Sequence, residues 1–362
     1  MRVLVAPDKF AGTLTAPEAA QAIAAGWCRA APGDEVDLAP LSDGGPGFVD
    51  AIHAALGGRL HPVTVRGPLG APTPASLLQV EKTAYVESAQ ACGLALTGAR
   101  GAEHATTYGV GELLRTAVES GARRIVVGLG GSGSNDAGAG LLAALGARAD
   151  VPLDRGGVAL AGVGEVDLTA ARALLSGVEL VAASDVDNPL TGPSGATAVF
   201  GPQKGLTPEQ LPLLDEMLAA FAGRADPETG AAPGAGAAGG LGFALLALGA
   251  RRRAGLDVVA DAIGLGERIA AADVAVTGEG SLDASTSGGK APAGVARLAA
   301  AVGTPCLAIA GRVEGSAQAH GLAAAYSLVD EVGETRALTA PAEALAEVAC
   351  RAAGRFAREG GE

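Results

Sequence analysis

The chain has 362 residues, of which 49% are hydrophobic and only 3% aromatic, and its formal net charge is −13. A chain of this length predicts two domains, each long enough to bury a core. The strong negative charge argues against binding to nucleic acid or to an anionic membrane surface. Because aromatic residues are scarce, the core must consist mainly of alanine, valine and leucine, which favours a layered α/β fold.

The cysteines indicate a reducing compartment. All four are far apart and none belongs to a C-x-x-C pair, so we expect reduced thiols and no structural zinc. The apolar run at the amino terminus is too short for a signal peptide, and no apolar run reaches the roughly 18 residues of a membrane span. These features predict a cytoplasmic protein whose partners are small molecules.

Candidate strands alternate with candidate helices along the chain, which is typical of α/β proteins. The strands are predicted at residues 3–6, 36–41, 63–65, 84–87, 125–127, 178–182, 274–277 and 306–310. The helices are predicted at residues 16–27, 48–56, 110–119, 137–145, 208–222 and 292–301. The three consecutive arginines at 251–253 are interpreted as an exposed helix end.

Residues 124–147 place an apolar strand, a turn rich in glycine and serine, and a helix in direct succession. The polar and glycine positions of the turn are Gly130, Gly131, Ser132, Ser134, Asn135 and Asp136. Glycines let the backbone approach a ligand closely, and a helix start presents N–H groups and a positive dipole end to an anion. The stretch therefore predicts a phosphate site, with an ordinary capped turn as the alternative.

Two other phosphate motifs fit less well. Gly128, Gly130 and Gly133 have the spacing of the dinucleotide fingerprint. However, the acidic residues about 20 positions later lie in a loop that no apolar strand precedes. The pair formed by Gly289 and Lys290 is followed by alanine, where a Walker A loop needs serine or threonine. We therefore predict neither a dinucleotide fold nor a Walker A loop.

Acidic and polar residues follow several of the predicted strands. They are Asp8 and Lys9, Ser42 and Asp43, Ser184 and Asp185, and Glu279 and Asp283. Ligand sites in open α/β sheets form at the carboxyl ends of strands, although each of these groups alone also fits an ordinary turn. Acidic groups beside a phosphate turn need a cation between them, and Mg²⁺ is the natural choice.

Six motifs, in chain order, carry a resemblance: APDKFAGTLTAPEAA, PLSDGGPGF, GLGGSGSNDAGAG, ASDVDNPLTGPSGATAVFGPQKG, PGAGAAGGLG and TGEGSLDASTSGGKAPAGVA. Together they resemble the bacterial type I glycerate kinases over residues 1 to about 310. The resemblance implies a two-domain α/β kinase that uses ATP and Mg²⁺ to phosphorylate D-glycerate. The expected products are 2-phospho-D-glycerate and ADP.

The chain departs from the family pattern at two positions. Ala11 stands where the family usually has a lysine, and Pro46 stands where it usually has a glutamate. These departures leave two alternatives open. One is a catalytically impaired sensor that binds glycerate or a nucleotide. The other is a kinase for another small hydroxy acid, or one that forms the 3-phosphate.

Phosphoryl transfer needs charge neutralisation, an aligned hydroxyl and a carboxylate that accepts its proton. We predict Asp185 as that carboxylate, because it follows a buried strand and is constrained by the turn after it. Lys204 is predicted as a catalytic cation. Asp185 and Asp136 are predicted magnesium contacts, although a cap at the start of the following helix is an equal alternative for Asp136.

The resemblance also implies binding residues. Lys9, Ser42 and Asp43 are assigned to glycerate. The nucleotide is assigned to Gly130, Gly131, Ser132, Ser134, Asn135, Glu279, Asp283 and Lys290.

The predicted fold is α/β with a discontinuous first domain. Residues 1–64 and 285–362 are expected to form a Rossmann-like or flavodoxin-like parallel-sheet domain. Residues 65–284 are expected to form a second α/β domain, inserted into the first and carrying the turn rich in glycine and serine. The supporting observation is that the carboxyl-terminal part is too short for a domain of its own but can complete an α/β layer.

Overall fold

A computed structural model describes residues 1–10, 12–283 and 291–359. Its strands are β1 (Arg2–Pro7), β2 (Glu35–Leu38), β3 (Arg59–Arg66), β4 (Pro72–Val80), β5 (Thr83–Glu87), β6 (Arg124–Gly128), β7 (Arg148–Ala149), β8 (Val166–Asp167), β9 (Glu179–Ala183), β10 (Arg251–Arg253), β11 (Val274–Gly278), β12 (Ser281–Leu282), β13 (Cys306–Ala310), β14 (Arg312–Val313) and β15 (Ala324–Ser327).

The helices, in the same order, are α1 (Ala16–Ala30), α2 (Phe48–Leu56), α3 (Ala89–Cys92), α4 (Leu94–Thr97), α5 (Tyr108–Glu119), α6 (Ala139–Ala144), α7 (Thr169–Leu174), α8 (Ala196–Phe200), α9 (Gln210–Ala225), α10 (Ala237–Ala247), α11 (Gly255–Ala262), α12 (Leu265–Ala270), α13 (Ala291–Val302), α14 (Leu328–Val332), α15 (Glu334–Thr339) and α16 (Pro341–Glu359). Within the described residues, no helix combines the length and the apolar character that crossing a membrane requires.

The chain divides into two compact units. Unit 1 comprises Met1–Asp43, Asp50–Gly57 and Leu256–Glu362, and unit 2 comprises Gly44–Val49 and Gly58–Gly255. The predicted boundary between 284 and 285 is misplaced, because β11 already belongs to unit 1. The reason is that β11 pairs with β1 and β13, so the chain rejoins the first sheet before that boundary. The predicted boundary after residue 64 is also late, because β3 lies entirely in unit 2.

Unit 1 contains a fully parallel sheet in the order β15-β13-β11-β1-β2. Counted along the unit, this is the flavodoxin-like order 2-1-3-4-5, whose switch point lies between β1 and β11. Every residue of β11 and β13 is buried, as expected for strands covered by helices on both faces. The predicted α/β class with a flavodoxin-like parallel sheet is therefore confirmed.

Unit 2 contains a mixed sheet in the order β10-β9-β6-β5-β4-β3. Its four strands β5, β6, β9 and β10 are parallel, and β3 and β4 are antiparallel additions. Gly128 pairs with both Glu87 and Ala183, so β5, β6 and β9 end at one edge of the sheet. The loops that follow these three strands are therefore neighbours.

Two local predictions in unit 2 are wrong. The arginines at 251–253 form strand β10 against β9 instead of a helix end, because tertiary pairing decides the conformation of so short a segment. The predicted helix at 137–145 begins later, at α6, because Ala137 and Gly138 have φ values of 53° and 71° and so cannot belong to a right-handed helix.

The predicted elements do not include strand β4, which contains two prolines, Pro72 and Pro74. The structure accommodates both prolines in the part of β4 that pairs with β3 alone. Pairing with β5 covers only residues 77–80 of β4, so the prolines leave the central ladder intact.

Helices α1 and α16 pack closely in unit 1. A Cβ atom placed on Gly26 of α1 would lie 2.0 Å from the backbone oxygen of Ala346 and 2.8 Å from Cβ of Ala349. Real Cβ atoms do not approach a backbone oxygen this closely, so the contact requires glycine at this position.

We expect Gly26→Ala to lower the free energy of unfolding by about 1–3 kcal/mol, because α16 must shift to admit the methyl group. Gly266→Ala is the matched control, since Gly266 lies in α12 of the same unit and has nothing within 4 Å of the added Cβ. The control should be neutral or stabilising by up to about 1 kcal/mol. Urea unfolding measures both, and equal stabilities would contradict the close packing.

Candidate functional site

The turn between β6 and α6, residues 129–138, is here called the Gly-Ser turn. Gly131 is exposed and Gly130 is half-buried, whereas the exposed fraction is 6% for Ser132 and 0% for Ser134 and Asn135. Only the first part of the turn is therefore accessible to a ligand. This burial does not support the prediction that Ser134 and Asn135 contact a nucleotide.

Backbone hydrogen bonds fix the accessible part of the turn. The N–H of Gly130 donates to Gly44 O at 3.0 Å, and the carbonyl of Gly131 accepts from Leu94 N at 2.8 Å. The N–H groups of Gly131 and Ser132 have no acceptor among the residues that the structure describes. Two successive amides beside a left-handed glycine, here Gly131 with φ 73°, are a backbone arrangement suited to an anion.

Lys204 lies beneath the Gly-Ser turn and is almost fully buried, with 2% of its surface exposed. Its Nζ donates to Ser132 Oγ at 2.9 Å and to the carbonyl of Ser134 at 2.7 Å. Burial lowers the pKa of Lys204 from 10.5 to about 8, while Cys92 and Asp136 oppose this shift. The ammonium therefore holds the turn from its buried side and places positive charge behind the N–H groups of Gly131 and Ser132.

Asp136 supports the turn internally. Its Oδ2 accepts from the N–H and Oγ1 of Thr107 and from Gly140 N, and its Oδ1 accepts from Gly138 N. Burial raises its pKa, although these hydrogen bonds act in the opposite direction. A fully buried carboxylate that already accepts four hydrogen bonds does not fit a magnesium ligand. Two of these donors, Gly138 N and Gly140 N, lie at the start of α6, although the N-cap position of that helix is Gly138.

Asn135 also has a structural contact. Its side-chain Nδ2 donates to Thr197 Oγ1 at 3.0 Å, which links the turn to α8 inside unit 2. Ser134 contributes its carbonyl to Lys204, as described above. Both residues therefore help to fix the shape of the turn from its buried side.

Asp185 is exposed and follows β9, the strand paired with β6. Its Oδ1 accepts from Gly255 N at 3.0 Å, which orients the carboxylate. Mg²⁺ is commonly held by only one or two protein carboxylates together with waters and phosphate oxygens, so an exposed carboxylate such as Asp185 fits this ion. The described residues contain no group of three or more His, Cys, Asp or Glu able to form a metal site of their own.

Arg252 stabilises the loop that carries Asp185, a role that the sequence did not predict. Its guanidinium donates to the carbonyls of Ser184 and Val186, both at 3.2 Å, and pairs with Asp187 at 2.6 Å. The sequence signal for this role was the run of three arginines at 251–253. The pairing of β10 with β9 explains why these arginines lie beside the loop that follows β9.

Unit 1 contains a cavity of about 490 Å³ at the carboxyl ends of its parallel strands. It lies at the switch point of the sheet, where ligands bind in open α/β folds. The cavity is lined by residues that follow β1, β11, β13 and β15, and by α15. The charged and polar lining residues are Asp8, Lys9, Thr13, Asp43, Glu279, Ser281, Arg312 and Glu334.

Three predicted site residues line this cavity together, namely Lys9, Asp43 and Glu279. Nζ of Lys9 lies 3.1 Å from Oδ1 of Asp43 and 3.8 Å from Oδ1 of Asp8. Lys9, which is assigned to glycerate, thus lies between the carboxylates of Asp8 and Asp43.

The other predicted residues of unit 1 lie differently. Asp283 accepts from Ser281 Oγ at 3.4 Å, and Ser42 is buried with 2% of its surface exposed, which does not support a direct contact with substrate. Lys290 lies outside the described residues, as does Ala11. Arg312 also lines the cavity, where it pairs with Glu334, and it is not among the predicted site residues. Its position two residues after a predicted strand was the available signal.

The lowered pKa of Lys204 predicts a pH-dependent stability. Between the folded value of about 8 and the unfolded value of 10.5, the unfolded chain binds more protons, so stability rises with pH. We expect the free energy of unfolding of the wild type, relative to Lys204→Met, to rise by about 2 kcal/mol from about pH 7.5 to about pH 10. Urea unfolding at both pH values tests this.

The matched control is Lys82→Met, since Lys82 is exposed. This variant should follow the wild-type pH dependence. If Lys204→Met also followed it, the ammonium of Lys204 would not be desolvated in the folded protein.

The chain is similar to known proteins over nearly its whole length. The model of the glycerate kinase family matches residues 3–357. A glycerate kinase of Bacillus subtilis (strain 168) is 41% identical over 345 residues, which cover 91% of this chain and 90% of that protein. The glycerate 2-kinase of Escherichia coli (strain K12) is 38% identical over 349 residues, which cover 92% of both chains.

A solved structure gives the same result. The crystal structure of a protein assigned as glycerate kinase 2 from Salmonella typhimurium LT2 is 37% identical, with a TM-score of 0.87 and 100% coverage of both chains. Because the family match and these relatives span nearly the whole length, the chain belongs to the glycerate kinase family and is a kinase.

Proposed function

We propose that the enzyme transfers the γ-phosphoryl group of ATP to the 2-hydroxyl of D-glycerate, forming 2-phospho-D-glycerate and ADP. The observation that carries the phosphate part is the accessible start of the Gly-Ser turn above a buried lysine. The choice of the 2-hydroxyl is supported by the E. coli relative, which is named a glycerate 2-kinase.

The phosphate group is proposed to bind the N–H groups of Gly131, which is exposed, and of Ser132, which is 6% exposed. Neither N–H has an acceptor among the described residues. Lys204 does not need to touch the phosphate, because its charge lies directly behind Ser132, to which it donates at 2.9 Å. A charge held in a buried environment is screened less than one at the surface, so it favours an anion at the turn. Lys204 is then a positioning and electrostatic residue of the turn.

Asp185 is proposed to accept the proton of the attacking hydroxyl. Its carboxylate is exposed and is oriented by the hydrogen bond from Gly255 N. In phosphoryl transfer such a carboxylate aims the hydroxyl and takes its proton late in the step.

Asp185 is also the residue proposed to hold Mg²⁺. When bound, this ion neutralises the negative charge of the transferring phosphoryl group. Asp136 is not proposed as a magnesium ligand, because both of its carboxylate oxygens already accept hydrogen bonds inside unit 2. In unit 1, Glu279 and Asp283 are kept as proposed nucleotide contacts.

D-glycerate is proposed to bind in the unit 1 cavity. Lys9 and Arg312 supply positive charge for its carboxylate, and Asp43 supplies an acceptor for its hydroxyl groups. Lys9 has 27% of its side chain exposed, so it is accessible despite its pairing with Asp43. Ser42 is not proposed as a glycerate contact, because only 2% of its surface is exposed.

The reaction is proposed to take place in the cytoplasm. All four cysteines are unpaired thiols, which fits a reducing compartment.

The decisive experiment follows ADP release from ATP and Mg²⁺ in the presence of D-glycerate, with L-glycerate and no acceptor as controls. Phosphorus NMR then locates the phosphate on the product. Turnover with D-glycerate that yields the 2-phosphate supports the proposal. A 3-phosphate would correct the regiochemistry, and binding without turnover would favour a sensor.

We expect Asp185→Asn to lower kcat by about 10²- to 10⁴-fold, because the amide cannot accept the proton. Asp187→Asn is the matched control, since Asp187 lies in the same loop but is paired with Arg252. The control should change kcat by less than about threefold. A loss below tenfold in Asp185→Asn would move the catalytic role to another carboxylate.

The two proposed roles of Asp185 are separable in the same variant. If Asp185 holds the ion, the magnesium concentration needed for half-maximal activity rises in Asp185→Asn. If it acts only as the base, kcat falls while that concentration stays unchanged.

A further inference from the structure

A short segment of unit 2 covers one side of the Gly-Ser turn. It consists of residues 44–49 and is here called the covering segment. Its Gly44 carbonyl accepts from Gly130 N at 3.0 Å, which orients the peptide just before the N–H groups of Gly131 and Ser132. The position of this segment therefore bears directly on the geometry of the turn.

The covering segment packs directly against Gly130 and Gly131 of the turn, through its backbone at Gly45 and through the ring of Pro46. A Cβ atom on Gly130 would lie 2.4 Å from Cα of Gly45, and a Cβ on Gly131 would lie 2.8 Å from Cδ and Cγ of Pro46. Neither glycine position has room for a side chain, so the segment packs directly on the glycine backbone. A shift away from the turn would release the hydrogen bond from Gly130.

The carboxylate of Glu87 holds the other end of the segment. Glu87 is the last residue of β5 and has only 6% of its surface exposed. Its Oε2 accepts from Gly47 N at 3.1 Å and from Val49 N at 3.3 Å. Val49 is fully buried, so its N–H needs an acceptor within the protein.

From these contacts we infer that Glu87 is a positioning residue for phosphate binding: its buried carboxylate fixes the covering segment, which in turn fixes the Gly-Ser turn. The inference rests on the proposed role of the turn as the phosphate site. Glu87 itself touches no reacting atom. Its effect passes through Gly47, the segment and Gly130.

A second anchor keeps the fold intact when Glu87 is changed. The ring of Phe48 is fully buried and packs edge to face against Tyr85, with ring centroids 6.2 Å apart. Loss of the Glu87 carboxylate should therefore loosen residues 44–47 without expelling the segment. This separation allows a functional test that does not depend on unfolding.

The test compares Glu87→Ala and Glu87→Gln with the wild type. Glu87→Ala leaves the N–H groups of Gly47 and Val49 without their acceptor, and we expect Kd for tripolyphosphate and KM for ATP to rise about 10- to 100-fold. Glu87→Gln keeps an acceptor oxygen and should restore both values to within about threefold of the wild type. In both variants kcat should change less than KM.

Glu112→Ala is the matched control. Glu112 is half-buried in α5, and its Oε2 accepts from Arg66 N at 2.7 Å. Arg66 lies in β3, which β4 and β5 separate from β6, the strand that leads into the Gly-Ser turn. Its loss should lower thermal stability in a similar way but leave Kd for tripolyphosphate unchanged. A merely structural role of Glu87 would give the two alanine variants the same binding profile.

Titration calorimetry with tripolyphosphate, without glycerate, separates the possible failures. If the wild type phosphorylates D-glycerate but Glu87→Ala binds tripolyphosphate normally, the positioning role is overturned and the proposed function stands. If the wild type does not bind tripolyphosphate, the phosphate role of the turn fails and the positioning role fails with it. If folded Glu87→Gln behaves like Glu87→Ala, hydrogen-bond positioning is contradicted.

Discussion

The hydrogen bonds of one buried ammonium group organise the candidate phosphate site. Burying a charged lysine is unfavourable unless its donors find partners, and Lys204 finds them in Ser132 Oγ and the Ser134 carbonyl. These partners lie 72 and 70 residues away along the chain. The path of the turn therefore depends on a tertiary contact. Residues 132–136 are buried around that contact, which leaves only the start of the turn accessible.

Close backbone packing is the second constraint on unit 2. Gly130 and Gly131 pack so closely against the covering segment that neither position has room for a side chain. The candidate phosphate site is therefore formed mainly by backbone atoms. Backbone amides in such a setting keep their orientation before a ligand arrives, which reduces the ordering required on binding. This arrangement supports the proposed role of the turn as a phosphate site, although few of its side chains are accessible.

The parallel sheet of unit 1 brings charged side chains together at one of its edges. Because β1, β11 and β13 run in the same direction, the residues that follow them meet at one edge of the sheet. Acidic side chains there are compensated by basic ones, as the contact of Lys9 with Asp43 shows. The cavity at this edge thus combines both signs of charge, which suits a substrate with a carboxylate and hydroxyl groups.

Local sequence pattern determined much of this protein. The alternation of apolar strands and helices predicted the α/β class, and the polar residues after strands predicted where Lys9, Asp43 and Asp185 would lie. These features are short-range, since periodicity and turn chemistry act over a few residues. The six motifs in family order identified the kinase family before any contact was known.

Only the tertiary structure decided which predicted residues are accessible. It buried Ser134 and Asn135, turned Asp136 into an internal support and made strand β10 from residues 251–253. It also placed β11 in unit 1, because β11 pairs with β1 and β13. Each of these outcomes depends on partners far away in the chain, such as Thr107 for Asp136. Burial and strand pairing are properties of the assembled sheet, so the local pattern of residues could not specify them.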